Sequence, residues 1–125
     1  MTKKLSPQEL ELLSEPQIAT VATVMADGSP QLTPVWIDTD GEAILFNTAK
    51  GRVKYRNLLR NPKVAVTVVD KNDFYRLVNV RGTAEIVEQG ADEHIDKLAK
   101  KYLGADSYPW RKEGEQRVIV RVVPD

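Results

Sequence analysis

Runs of β-branched residues separated by tight-turn signals constrain this chain more than any other feature. Ile18 to Met25 is rich in Val, Thr and Ala, and Asp27-Gly28 follows it. That dipeptide suits a hairpin turn, so Gln31 to Ile37 reads as the returning strand. Pro34 lacks a ladder donor, which places this strand on an edge or at a bulge, the kind of irregularity often found beside ligands. Asp38 to Gly41 reads as a further turn and Ala43 to Asn47 as a third strand. Val64 to Val69, Leu77 to Val87 and Arg117 to Val123 complete about six strands, with Gly82 marking a bend or bulge.

Helical signals are short. Ser6-Pro7-Gln8-Glu9 has a capping residue, a proline suited to the first helical position and a glutamate able to close a capping box. Leu10, Leu12 and Leu13 give that helix an apolar side, and it ends near Ser14 to Pro16. Between Lys50 and Arg60 the period changes, with Val53, Leu58 and Leu59 as a buried stripe and Asn61-Pro62 as the stop. Ala91, Ile95, Leu98, Ala99 and Tyr102 follow a helical period that Gly104 ends. Only the helix after the third strand resembles a crossover. The chain therefore reads as mainly β, an antiparallel barrel with short peripheral helices, rather than a doubly wound sheet.

The 125 residues fit a single domain, 1–125, and 42% hydrophobic with 29% charged residues is the composition of a folded chain. The formal net charge of +0 argues against generic nucleic-acid binding. No apolar run approaches a membrane span, and Met1 to Glu11 lacks the apolar core of a signal peptide. Cysteine is absent, so there is no disulfide framework, thiolate nucleophile or cysteine metal site. Together these features lead to the expectation of a cytoplasmic protein.

Net neutrality hides an asymmetry. From Ala43 to Val69 there is no Asp or Glu, yet Lys50, Arg52, Lys54, Arg56, Arg60 and Lys63 all lie there. Thr48, Lys50 and Gly51 stand just before the helix, whose start offers free N–H groups to an anion. The segment reads as a solvated basic face, as a phosphate site or as a nucleic-acid patch, the last disfavoured by its small size and lack of an aromatic platform. The remaining chemistry is sparse. His94, the sole histidine, sits among Asp92, Glu93 and Asp96 and reads as a surface residue. Asp38, Asp40 and Glu42 read as a solvated acidic turn. Neither a Ser–His–Asp set nor a metal-ligand set emerges, so no catalytic and no metal-binding residue is assigned.

Four stretches carry a family likeness: "ATVATVMADGSPQLTPVWI", "ILFNTAKGRVKYRNLLRNPKVAVTVVD", "YRLVNVRGTAEIVE" and "KYLGADSYPW". In this order they cover nearly the whole chain. They resemble the pyridoxamine-phosphate-oxidase-like flavin and deazaflavin proteins, and more narrowly their small F420-dependent oxidoreductase branch. The resemblance implies a split β-barrel of the FMN-binding-protein type that forms a homodimer with cofactor clefts between subunits.

It also implies hydride transfer between reduced F420 and an organic acceptor. The alternatives are an FMN-binding protein or oxidase, or a non-catalytic cofactor-binding module. Pyridoxamine-phosphate oxidase proper is disfavoured, because the longer C-terminal region of the true oxidases is not matched. By the same resemblance, Thr33, Pro34, Val35 and Trp36 face the cofactor ring, and Asn47, Thr48, Lys50, Arg52 and Lys54 hold the phosphate and the start of the tail. Asn57 is structural. Tyr108, Trp110 and Arg117 fall where a partner-subunit wall reaches the site, with Trp110 counted among the cofactor contacts. A substrate proton would come from Tyr75, Tyr108 or water.

Overall fold

Alternation of buried and exposed residues along the β-branched runs commits one face of each to a shared core. The computed structural model describes residues 3–125. Along the chain these form α1 (Pro7–Ser14), β1 (Ile18–Val24), β2 (Pro30–Trp36), β3 (Asp38–Thr39), β4 (Ile44–Ala49), α2 (Val53–Arg60), β5 (Lys63–Asp70), β6 (Asp73–Val87), α3 (Ala91–Leu103) and β7 (Arg117–Pro124). The strands make one sheet in the order β2-β1-β5-β6-β7-β4-β3, with every neighbouring pair antiparallel.

The two edges of that sheet, β2 and β3, are consecutive in the chain with only Ile37 between them. A flat sheet of this order would hold its edges far apart, so the sheet must curl until they meet. The result is a split β-barrel filled by Phe46, Ile44, Val66, Val78, Val118 and their buried neighbours. Ile37 is fully buried at the seam. Its N–H donates to the Tyr102 hydroxyl at 2.9 Å, and its carbonyl accepts from Lys101 Nζ at 2.6 Å. Tyr102 in turn donates to the Gln17 carbonyl at 2.5 Å, and burial pushes its phenol up to about 12. One face of α3 thus satisfies backbone groups that have no ladder partner at the seam. At the other end of the chain, α1 is fixed by the Ser6–Glu9 capping box, with reciprocal bonds of 2.9 and 3.1 Å, and buries Leu12 and Leu13.

Three expectations are refined. A seventh strand, β3, appears where a turn was read. Pro34 does lie on an edge strand, with no bulge in its register. Gly82 is neither bend nor bulge: the ladders run through it, and a Cβ there would lie 2.3 Å from the Val123 carbonyl oxygen. Glycine is required by close backbone approach where β6 passes from pairing with β5 to pairing with β7. The register shift lies instead at Val69/Asp70. Among the described residues no helix is long and apolar enough to cross a membrane, and no group of His, Cys, Asp and Glu could hold a metal ion.

Replacing Tyr102 with Phe keeps the ring but strands the Ile37 N–H and the Gln17 carbonyl. Chemical denaturation is expected to show a loss of about 1–3 kcal/mol. A variant as stable as the parent would mean that the seam does not depend on this hydroxyl.

Candidate functional site

After β4 the chain turns at Lys50-Gly51, where Gly51 has φ 95°, and enters α2 with Arg52 as an N-cap that makes no side-chain capping bond. Positions 54, 57 and 58 share the inner face, so Lys54, Asn57 and Leu58 are buried. The stripe of Val53, Leu58 and Leu59 expected from sequence is corrected accordingly: Val53 is 36% and Leu59 60% exposed. Asn57 has the structural role expected of it. It donates to Thr23 Oγ1 at 3.0 Å and accepts from Arg60 Nη2 at 2.8 Å, tying α2 to β1.

A cleft of about 330 Å³ opens beside the seam. One wall is apolar, formed by Ile18, Pro34, Val35 and Trp36, with Ile95 and Leu98 of α3 behind it. Tyr108 and Trp110 form an aromatic rim. Trp36 stacks on Tyr102 at 5.2 Å between centroids and meets Tyr108 edge-on at 6.1 Å. The opposite end is polar and cationic, with Asn47, Thr48, Arg52, Lys54 and Arg117.

That cationic end is under electrostatic tension. Lys54 is only 9% exposed, and its ammonium has no hydrogen bond or ion pair among the described residues. Burial, then the charges of Arg52 and Arg117, push it below the usual lysine range. Arg117, also 9% exposed, donates from Nε to Asn47 Oδ1 at 2.8 Å and from Nη1 to Glu115 at 3.1 Å, and lies 5.2 Å from the Tyr108 ring centroid. Thr48 is 2% exposed with an unpartnered hydroxyl, and the Thr33 hydroxyl is likewise buried and unpartnered. A buried donor without an acceptor is costly, and an anion in the cleft would satisfy Thr48 and offset the Lys54 charge. Apolar walls at one end and orphaned donors at the other suit a planar ring that carries a phosphorylated tail.

Eight of the ten residues expected at a cofactor line this cleft: Pro34, Val35, Trp36 and Asn47 from the strands, together with Thr48, Arg52, Lys54 and Trp110. Thr33 lies on β2 but does not line it. Lys50 faces a neighbouring groove and pairs with Glu88. Tyr108, Trp110 and Arg117, expected as a partner-subunit wall, line the cleft of their own chain. Tyr75 is 96% exposed outside the cleft. Ile18, Ile95 and Leu98 were not foreseen; the helical period of α3 marked a buried face without saying what it faces.

Two sequence readings are overturned nearby. His94 is 8% and Asp38 7% exposed, so neither is a surface residue. His94 Nε2 lies 3.2 Å from Asp38 Oδ2, and Lys97 Nζ donates to the same oxygen at 3.2 Å. Burial pushes the Asp38 carboxyl up, but the bonds from His94 and the Thr39 backbone, with the Lys97 charge, outweigh it and hold the group at about 2. Asp40 and Glu42 are also paired, with Arg121. Residues distant in sequence converge here, which local composition does not reveal.

A family model described as pyridoxamine 5'-phosphate oxidase matches residues 5–125. Among solved structures, an F420 reductase is 36% identical, covering 92% of this chain and 91% of its own, with a TM-score of 0.80. A conserved hypothetical protein of Mycobacterium tuberculosis is 26% identical, covering 98% and 82%, with a TM-score of 0.73. HupZ of Group A Streptococcus is 27% identical, covering 95% and 89%, with a TM-score of 0.67.

The depressed Asp38 carboxyl carries a pH signature. Its folded value of about 2 lies below the ordinary 3.8, so its contribution to stability is present above 3.8 and is lost as pH falls towards 2. Asp38→Asn is expected to lower unfolding free energy by about 2 kcal/mol near neutral pH, with the gap closing by about pH 2. A gap that does not vary with pH would show that the ionised carboxylate contributes nothing.

Proposed function

The chain belongs to the pyridoxamine 5'-phosphate oxidase family, and on that premise we propose that it is a flavin-type oxidoreductase whose cleft holds the cofactor F420. The broader part of this reading, a split barrel that takes a flavin or deazaflavin, has the support of the family and the fold together. The observation that carries it is Lys54: a largely buried lysine without an anionic partner among the described residues, repelled by Arg52 and Arg117, in the same cleft as the orphaned Thr48 hydroxyl.

In this reading Arg52, Lys54 and Arg117 neutralise the phosphate, with arginine offering paired donors and lysine a compact charge. Thr48 adds a neutral donor. Pro34, Val35 and Trp36 seat the ring on β2, and Ile95 and Leu98 keep water from its far side. Thr33 contributes through its strand, and Lys50 stands at the mouth of the tail path, exchanging Glu88 for ligand. When bound, the reduced cofactor supplies a hydride to an organic acceptor. In this reading Tyr108, the hydroxyl-bearing residue at the rim, or water would protonate such an acceptor. The reading includes a homodimer: Pro34 and Trp110 leave one side of the cleft exposed, and a second copy would close it.

F420 in particular is supported by the 36% identical F420 reductase. FMN is the second reading, carried by the sequence resemblance to flavin-binding split barrels and by the same phosphate chemistry. Fluorescence titration separates them. F420 is expected to bind more tightly than FMN; tighter FMN binding transfers the assignment, and no binding of either removes it. Lys54→Met is expected to weaken cofactor binding about tenfold or more while leaving the thermal midpoint unchanged or raised, because it removes a partly desolvated charge repelled by Arg52 and Arg117. Unaltered affinity would return Lys54 to a structural role. Mass in solution tests the homodimer, which a monomer at working concentration would exclude.

A further inference from the structure

Asn47 lies in the cleft, but its carboxamide faces inward. Arginine has donors and no acceptor, so the Asn47 atom that meets Arg117 Nε at 2.8 Å must be Oδ1. Both amide hydrogens then point the other way, to the Ala91 carbonyl at 2.9 Å and to His94 Nδ1 at 3.2 Å. The donors of Asn47 are therefore used within the protein. Because Nδ1 accepts, the imidazole carries its proton on Nε2, where it meets Asp38 Oδ2 at 3.2 Å.

A continuous polar chain results: Asp38 on β3, His94 on α3, Asn47 on β4 and Arg117 on β7. All four are buried; Asp38 and His94 do not line the cleft, whereas Asn47 and Arg117 do. Glu115 holds the second edge of the guanidinium, leaving Nη2 without a hydrogen-bond partner among the described residues. We propose that Asp38, His94 and Asn47 are positioning residues that fix the Arg117 guanidinium to receive an anionic oxygen, and so set affinity for the phosphate of the ligand rather than for its ring. This rests on the phosphorylated-cofactor reading and adds to it which buried residues govern the phosphate end.

The sole histidine makes the chain testable. Glutamine in place of His94 can accept from Asn47 and donate to Asp38; leucine can do neither. Dissociation constants are measured for FMN and F420, and for the matching phosphate-free ribityl parents. His94→Leu is expected to lose about tenfold or more for the phosphorylated ligands and less than about twofold for the ribityl parents, while His94→Gln stays within about threefold for both. Equal losses for both ligand types, or no loss, would overturn the proposal.

Nitrogen-15 spectra of the wild-type imidazole give a reading that does not depend on any variant folding. A protonated Nε2 and bare Nδ1 are expected, with resonances that move on adding FMN or F420 and stay in place with the phosphate-free ribityl parents. A proton on Nδ1, or resonances indifferent to the phosphorylated ligands, would overturn the relay. Wild-type protein that binds neither FMN nor F420 removes the cofactor reading itself and the relay with it; selective phosphate binding unaffected by His94→Leu removes the relay alone.

Discussion

The single-residue link at Ile37 is the constraint on which the rest depends. It joins the two edges of a seven-stranded sheet, so the sheet closes on itself. Closure at that point is covalent and not a ladder, which leaves the Ile37 backbone to be satisfied from elsewhere. Tyr102 and Lys101 do so, and their positions fix the rotation of α3. That rotation directs Ile95 and Leu98 toward the space beside β2 and brings His94 against Asp38 and Asn47. The cleft is thus the unfilled part of the seam, and a helix recruited to seal the barrel also supplies its inner wall.

Electrostatics give the cleft its chemical character. The described residues offer the Lys54 ammonium no counter-ion, and like charges on Arg52 and Arg117 raise the cost of keeping it there. Desolvated like charges oppose folding. A protein retains such an arrangement where a ligand offsets it, a common trade of stability for function. The buried Asp38 shows the opposite design: its carboxylate has two side-chain partners and is held ionised. One end of the polar chain is therefore settled within the protein, while at the other Arg117 Nη2 has no hydrogen-bond partner among the described residues.

Much of the fold was legible because its signals are local. The Ser6–Glu9 capping box, the Asp27-Gly28 hairpin, the β-branched runs and the Gly104 stop each act over a few residues, and each is found where sequence placed it. Lys54 and Arg52 were legible as members of an acid-free segment. What failed was long-range. Asp38 and His94 look like surface residues beside their acidic neighbours, because nothing local announces that the seam brings them together. Gly82 is explained only by a strand more than forty residues later. The helical stripe of α2 was misread because two apolar residues outweighed a lysine and an asparagine, which the inner face turns toward the cleft and toward β1.

The central claim is that the cationic end of the cleft receives a phosphate. A crystal structure of the protein with F420 or FMN bound tests it most directly. The account requires the phosphate within hydrogen-bonding distance of Lys54 Nζ and the Arg117 guanidinium, with the ring beside Trp36. A phosphate held elsewhere, or a cofactor lodged outside this cleft, would contradict it.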